Sequence, residues 1–177
     1  MTYLKNDIIR LRALEPADVP FLYAMENDSS VWNAGSNIQP FSSKTLRDFI
    51  DAQQGDVYAD KQLRLVACLN DSETPVGLVD LYDFSPRHLH AWVAVMTDLK
   101  HREKGIASMS LALLADYAFN FLHIRVLMAM VAADNQASIQ LFKSAGYVQC
   151  GVFPNYYLRT SSVVDAICFQ LLPSDQQ

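Results

Sequence analysis

Several familiar signals are missing from this chain of 177 residues, and each absence removes a class of function. There is no Gly-x-x-x-x-Gly-Lys-Ser/Thr loop and no Gly-x-Gly-x-x-Gly, so neither a P-loop nucleotide site nor a dinucleotide fingerprint is present. The three cysteines, Cys68, Cys150 and Cys168, are odd in number, widely spaced and set in apolar surroundings. They suit neither a disulfide framework nor a metal site, and read as buried thiols in a reducing cytoplasm. A membrane span is not expected, because the most apolar helix is interrupted by Asp116 and Asn120, and Lys5, Asp7, Arg10, Arg12 and Glu15 exclude a secretory segment at the start. Excess positive charge is also lacking. The formal net charge of −5 argues against a nucleic-acid surface and is compatible with cationic or amine substrates.

What is present is enough apolar material for a sizeable core: 51% hydrophobic against 19% charged residues, with no internal repeat or low-complexity tract. One domain over residues 1–177 is expected. Ile8–Ala13 alternates as a strand, Glu15-Pro16 opens a helix that ends near Asn27-Asp28, and Ser42 or Ser43 caps a second helix that stops at Gly55. Strands follow at 63–69, 76–84 and 90–96, the first two joined by the polar loop 70–75. Then come a helix over 106–121, a buried strand over 126–132, a short helix over 135–144 closed by Gly146, and strands over 148–153 and 163–171. In the last strand Val163, Ile167, Phe169 and Leu171 share a face with Asp165. A meander followed by helical crossovers predicts an α/β fold with a mixed sheet of about six to seven strands and about four helices, its ligands at the carboxyl ends of the parallel strands.

The most informative segment runs from Val95 to Ser108, where an apolar strand enters a basic turn that opens a long helix. Arg102-x-x-Gly105-x-Ala107 places successive backbone N–H groups at a helix start, where they and the helix dipole attract an anion. Taken alone, a basic connector before a helix is an equal reading. A second strand-to-helix junction follows at Asn135-Gln136-Ala137-Ser138 and closes at Gly146-Tyr147. Together with Ile9–Glu15 and Val76–Leu81, these segments resemble the acetyl-CoA-dependent N-acetyltransferases of the GNAT superfamily. Within it the resemblance is to the branch of spermidine acetyltransferases and ribosomal-protein N-terminal acetyltransferases.

The resemblance implies a splayed central strand pair whose gap takes the pantetheine arm, held by backbone groups of Val95, Met96 and Thr97. It implies a pyrophosphate on Arg102, Glu103, Lys104, Gly105, Ile106, Ala107 and Ser108. Asn135 and Ser138 would contact the arm or its phosphates, a place their side chains also suit as helix caps, with capping the plainer account of Ser138. In such a site a strand N–H polarises the thioester carbonyl, an effect typically worth ~10²–10³ in rate. The family's general acid, a tyrosine seven residues after the asparagine, is replaced here by Phe142 along the cofactor wall. A free thiol of pKa about 8.5 can regain its proton from water, so the loss need not abolish turnover.

The base that takes the amine proton is sought among Asp80, Asp83, Glu26 and His90. Asp80 and Asp83 are three apart on a strand, so at most one faces a given cleft, and a solvated carboxylate is the plainer account of each. Tyr156 and Tyr157, in the late region that borders the acceptor site in this family, could replace the missing acid or simply pack. The acidic pair that marks polyamine enzymes falls here on the neutral stretch 34–37, while Trp32, Phe41 and Tyr23 suggest an aromatic wall near the acceptor. The expected activity is transfer of an acetyl group from acetyl-CoA to a primary amine by direct attack, in a cytoplasmic homodimer without nucleic-acid, membrane or metal partners. The acceptor could be a small amine or polyamine, an amino-sugar antibiotic, or a peptide or protein α-amine. The last is slightly favoured, since a lysine-like amine must give up roughly 4.6 kcal/mol of protonation at pH 7 and an α-amine near pKa 8 only about 1.4. The alternative is an acyl-CoA-binding sensor or partner module with little or no catalysis.

Overall fold

Only three rungs join the two central strands of the sheet, and the rest of the architecture holds that junction open. The structure, a computed structural model, describes residues 3–29 and 39–173; Trp32 and the stretch 34–37 lie outside the described residues. In chain order the elements are β1 (Ile9–Ala13), a 3-10 turn (Pro16–Asp18), α1 (Val19–Glu26), α2 (Ser43–Asp51) and α3 (Val57–Asp60). Then come β2 (Leu63–Leu69), β3 (Pro75–Ser85), β4 (His90–Thr97), a second 3-10 turn (Leu99–His101) and α4 (Ile106–Asn120). The chain finishes with β5 (Val126–Ala132), α5 (Gln136–Ser144), β6 (Val148–Leu158) and β7 (Val163–Leu171).

All seven strands lie in one sheet of order β1-β2-β3-β4-β5-β7-β6. Every neighbour pair is antiparallel except β4 with β5, which is parallel and extends only over His90↔Val126, Ala91↔Leu127 and Trp92↔Met128. The mixed sheet and the splayed pair are as expected.

Helices cover both faces, which is why β2 and β3 read as near-continuous apolar runs. One face packs against α4 and α5, where Ile106, Leu111, Leu114 and Ala118 of α4 form a buried stripe at helical spacing. The other face is covered by α1 and α2, through Leu22, Met25, Leu46 and Ile50 against Val66, Cys68 and Leu78. Ser42 caps α2 by accepting from the Thr45 N–H at 3.0 Å. Arg12 of β1 holds the start of α1 by donating to both carboxylate oxygens of Asp18 at 2.6 and 2.8 Å.

Four details differ from the expectations. Among the described residues there are five α-helices, because α3 is a single turn capped by Asp56, too short to carry an apolar stripe. The helix expected from Glu15-Pro16 begins as a 3-10 turn, since the Asp18 carboxylate folds back onto the Glu15 N–H at 2.9 Å. Strand β6 runs five residues beyond Phe153: its pairing with β7 shifts between Phe153 and Tyr157 and then resumes. Cys150 is exposed, because it lies on this edge strand where the register shifts, while Cys68 and Cys168 are buried as expected. In β7 both faces are covered in part, so Ala166 and Cys168 are buried as well as Phe169 and Leu171.

Candidate active site

Beyond Trp92, β4 continues along β3 while β5 diverges. The Asp98 N–H bonds the Val76 carbonyl at 2.9 Å and Met96 faces Leu78, so alternation directs the N–H and C=O of Ala94 and Met96 to β3. The backbone groups of Val95 and Thr97 therefore point the other way, towards the gap left by β5. Of the three residues expected to hold the pantetheine arm, Val95 and Thr97 turn their backbone to the gap and Met96 does not. The Met96 side chain instead lines a cavity of about 220 Å³ with Thr97, Asp98, Leu99, Arg102, the α1 residues Phe21, Ala24 and Met25, and Asp28 just beyond α1. The Thr97 hydroxyl is buried without a hydrogen-bond partner.

At the mouth of the gap the chain turns into α4. Glu103 and Gly105 both adopt positive φ, 62° and 76°, and Gly105 is the N-cap of the helix. The first helical bond is Met109 N–H to Gly105 O at 3.0 Å, so the N–H groups of Gly105, Ile106, Ala107 and Ser108 have no partner within the helix. Four consecutive donors at a positive dipole end suit the diphosphate of a coenzyme. Arg102, Lys104, Gly105 and Ser108 are exposed there with Glu103, and Ala107 is half-buried. The Ile106 side chain is 3% exposed and belongs to the core, so this residue offers its backbone alone. Just before the turn, the His101 ring contacts the Asp98 carboxylate at 2.8 Å and the His101 N–H bonds the Asp98 carbonyl.

At the second junction the cap is Asn135 and not Ser138: the Asn135 Oδ1 accepts from the Ser138 N–H at 3.1 Å. Ser138 occupies the third helical position, where its backbone N–H needs that partner. Phe142 is buried, its ring edge-on to Tyr147 and stacked with Phe169, so it packs in the core.

The sheet face under α1 and α2 carries a cluster of charged side chains. Asp80 of β3 lies opposite Arg64 of β2, which donates to it through Nε at 2.5 Å and Nη2 at 3.0 Å. The third guanidinium nitrogen donates to the buried Glu26 of α1 at 2.5 Å, and the Arg64 plane lies over the Phe49 ring. Burial works against the Arg64 charge, but Asp80 and Glu26 outweigh it and hold the guanidinium charged more firmly than usual. Two carboxylates share one cation, so the cluster carries one negative charge in excess. On the same face, two residues along β3, lies Tyr82, paired with Trp92 as Trp92 is with Met128. Burial pushes the Tyr82 hydroxyl up to about 12, with Tyr157, Asp83, Asp80 and Tyr156 adding to the effect. Tyr156 and Tyr157 pack edge to face at 5.0 Å, Arg159 covers Tyr157, and Arg159 grips Asp134 with two bonds of 3.0 Å.

The acid–base candidates thus separate. Asp80 and Glu26 come together on Arg64, whereas Asp83 is exposed at the irregular end of β3 with φ 49°. His90 stands at the first rung of the β4–β5 pair, away from the open end, with its Nδ1 buried and unpartnered. Tyr156 is 54% exposed on β6, and Tyr23 is exposed on α1 while Phe41 packs against the core. Sequence reasoning missed Arg64, although a lone cation within the apolar run of β2 was a visible signal.

A model of the acetyltransferase (GNAT) domain matches residues 9–148. A spermidine N(1)-acetyltransferase of Vibrio cholerae serotype O1 is 24% identical over 154 residues, covering 82% of each chain. The crystal structure of spermidine N-acetyltransferase from Vibrio cholerae in complex with CoA and spermine superposes with a TM-score of 0.85 at 22% identity, covering 94% of this chain and 96% of that one. A dodecameric structure of spermidine N-acetyltransferase from Vibrio cholerae superposes with a TM-score of 0.80 at 23% identity, covering 97% of both chains.

Proposed function

The chain belongs to the GNAT acetyltransferase family, and we propose that the primary amine it acetylates is a small aliphatic polycation of the spermidine class. The observation that carries this reading is the cluster of Glu26, Arg64 and Asp80, with one negative charge in excess beside Tyr82 and Trp92. An ammonium group is attracted both by that charge and by aromatic faces. The acidic pair missing from 34–37 thereby has a counterpart deeper in the sheet. The similarity to spermidine acetyltransferases supports the same class, and nothing in the site favours a peptide chain.

Acetyl-CoA supplies the acetyl group as a thioester. The N–H donors at the turn into α4 hold the diphosphate, and the backbone of Val95 and Thr97 holds the pantetheine arm. A β4 N–H facing the gap polarises the thioester carbonyl. Asp80 draws and orients the ammonium form of the acceptor. Because Arg64 occupies both its oxygens, it is a poor proton acceptor, and the amine loses its proton to water. With Phe142 packed in the core, the released thiolate takes its proton from solvent, which its ordinary pKa of about 8.5 permits.

Assembly with further copies is part of the same proposal, a dimer being the smallest unit, in keeping with the dodecameric relative. A cytoplasmic setting agrees with three free cysteines, and among the described residues no helix is long and apolar enough to cross a membrane.

The test is acceptor-dependent thiol release from acetyl-CoA with spermidine, spermine, an amino-sugar antibiotic and peptides bearing a free α-amine. Polyamines should be used with the highest kcat/KM. Faster release with peptides would reassign the acceptor, and CoA binding without release from any amine would leave a binding module.

A further inference from the structure

Gly77 of β3 stands opposite Thr97, the last residue of β4. A Cβ placed on Gly77 would lie 2.7 Å from the Met96 carbonyl oxygen, 3.6 Å from the Thr97 Cα and 3.7 Å from Cγ2 of Ile106, the first residue of α4. The first distance is well inside van der Waals contact, and its partner is backbone, which has no rotamer to change. Gly77 does not have positive φ, so backbone conformation does not require the glycine here. The approach of a neighbouring strand does.

That approach matters because of what β4 lacks. Past the Trp92 rung it pairs with no strand on the β5 side among the described residues, and its arm from Ala94 to Thr97 is hydrogen-bonded into the sheet through β3. Anything pushing the Met96 carbonyl away from β3 pushes the arm into the gap and rotates the backbone groups of Val95 and Thr97. The same position touches Ile106, whose backbone opens the N–H cradle of the turn. One missing side chain therefore governs the two halves of the cleft together.

We infer that Gly77 is a positioning residue for the acyl-CoA cleft, setting the place of the β4 arm relative to the α4 turn. The inference rests on the reading of that cleft as the coenzyme site. It predicts that the damage from a side chain at 77 appears in coenzyme affinity, whereas a purely structural role would lower stability and leave the affinity of the folded protein unchanged.

The experiment compares the wild type, Gly77→Ala and Gly151→Ala, the last at a strand glycine with nothing within 4 Å of its added Cβ. CoA affinity is measured by calorimetry, KM for acetyl-CoA and for spermidine separately, and folding by circular dichroism. For Gly77→Ala, CoA affinity should weaken roughly tenfold or more with KM for spermidine within about twofold. Gly151→Ala should match the wild type. Unchanged CoA affinity in folded Gly77→Ala would overturn the inference. Failure of the wild type to bind CoA would instead overturn the reading of the cleft. Should Gly77→Ala not fold, the pair Gly77→Ala with Ile106→Leu, which removes the Cγ2 nearest the new methyl at similar volume, gives room towards α4 while the carbonyl contact persists. That variant should fold and still bind CoA weakly, and wild-type affinity in it would overturn the inference.

Discussion

Trp92 faces Met128 across the last rung that joins β4 to β5, and beyond that rung the two strands share no further pair. Val95, three residues on, therefore turns its backbone groups to a gap. A parallel pair that ends after three rungs leaves polar backbone groups that a coenzyme with amide groups can satisfy, at the carboxyl ends of parallel strands where ligands of open α/β sheets collect.

Gly105→Val should weaken acetyl-CoA binding more than it weakens folding. Gly105 has φ 76° and its added Cβ would meet nothing nearer than Met109 Cε at 3.9 Å, so the penalty is backbone strain of order 1–3 kcal/mol. Relief of that strain would turn the N–H cradle, and affinity should fall about tenfold or more. Thermal melts with and without coenzyme report it: at about 100 times Kd the wild type should gain ~2.7 kcal/mol and the variant much less. An equal gain in both would sink the placement of the diphosphate.

Arg64→Met should destabilise the protein by about 3–5 kcal/mol, because it removes the cation that both Glu26 and Asp80 bind. Adding Glu26→Gln and Asp80→Asn should restore most of the stability while KM for spermidine rises above the wild-type value, since the excess negative charge is gone. Denaturant unfolding separates the two effects. Full recovery of KM in the triple variant would remove the charge from the account of acceptor binding.

Acid should weaken the contact between β1 and α1 before neutral pH affects it. Burial raises the Asp18 pKa, but the hydrogen bonds from Arg12 and the Glu15 N–H, with the Arg12 charge, outweigh burial and hold it below the ordinary carboxylate value. A folded pKa lower than the unfolded one contributes stability that is complete above about 3.9 and is lost as pH falls through the folded value. Asp18→Asn should lower stability at pH 7 and flatten its decline below about pH 4, as read from urea midpoints. An unchanged acid slope would assign that decline to other carboxylates.

Proton loss by the acceptor should govern the rate across neutral pH. For an amine of pKa about 10.4, kcat/KM should climb nearly tenfold per unit between roughly pH 6 and 9, because among the described residues the carboxylates of the cluster are held by Arg64. Asp83→Ala, at an exposed carboxylate outside the cluster, should leave the profile unchanged. A plateau beginning near pH 7 would instead identify a base within the protein.

Much of the fold was legible because its signals are local. The spans of β2, β5 and β7 follow from apolar runs bounded by turn residues, and the α4 turn follows from a glycine at a helix start. Other features escaped for equally physical reasons. The single turn of α3 has no periodicity to detect, and the choice of Asn135 over Ser138 as cap depends on which side chain faces the free N–H. The exposure of Cys150 depends on a register shift between β6 and β7, which neither strand encodes by itself.

The strand-to-helix turn proposed for the coenzyme was thus legible in the sequence alone, since backbone N–H groups at such a turn need only a short stretch of chain. The charged cluster proposed for the acceptor was decided by tertiary structure. Glu26, Arg64 and Asp80 come from one helix and two strands, 38 and 16 residues apart in the two ion pairs, and only sheet register and helix packing put two carboxylates on one guanidinium. The contact of Gly77 with Met96 is of the same kind: a glycine in a strand is silent until a neighbouring carbonyl lies where its side chain would have been.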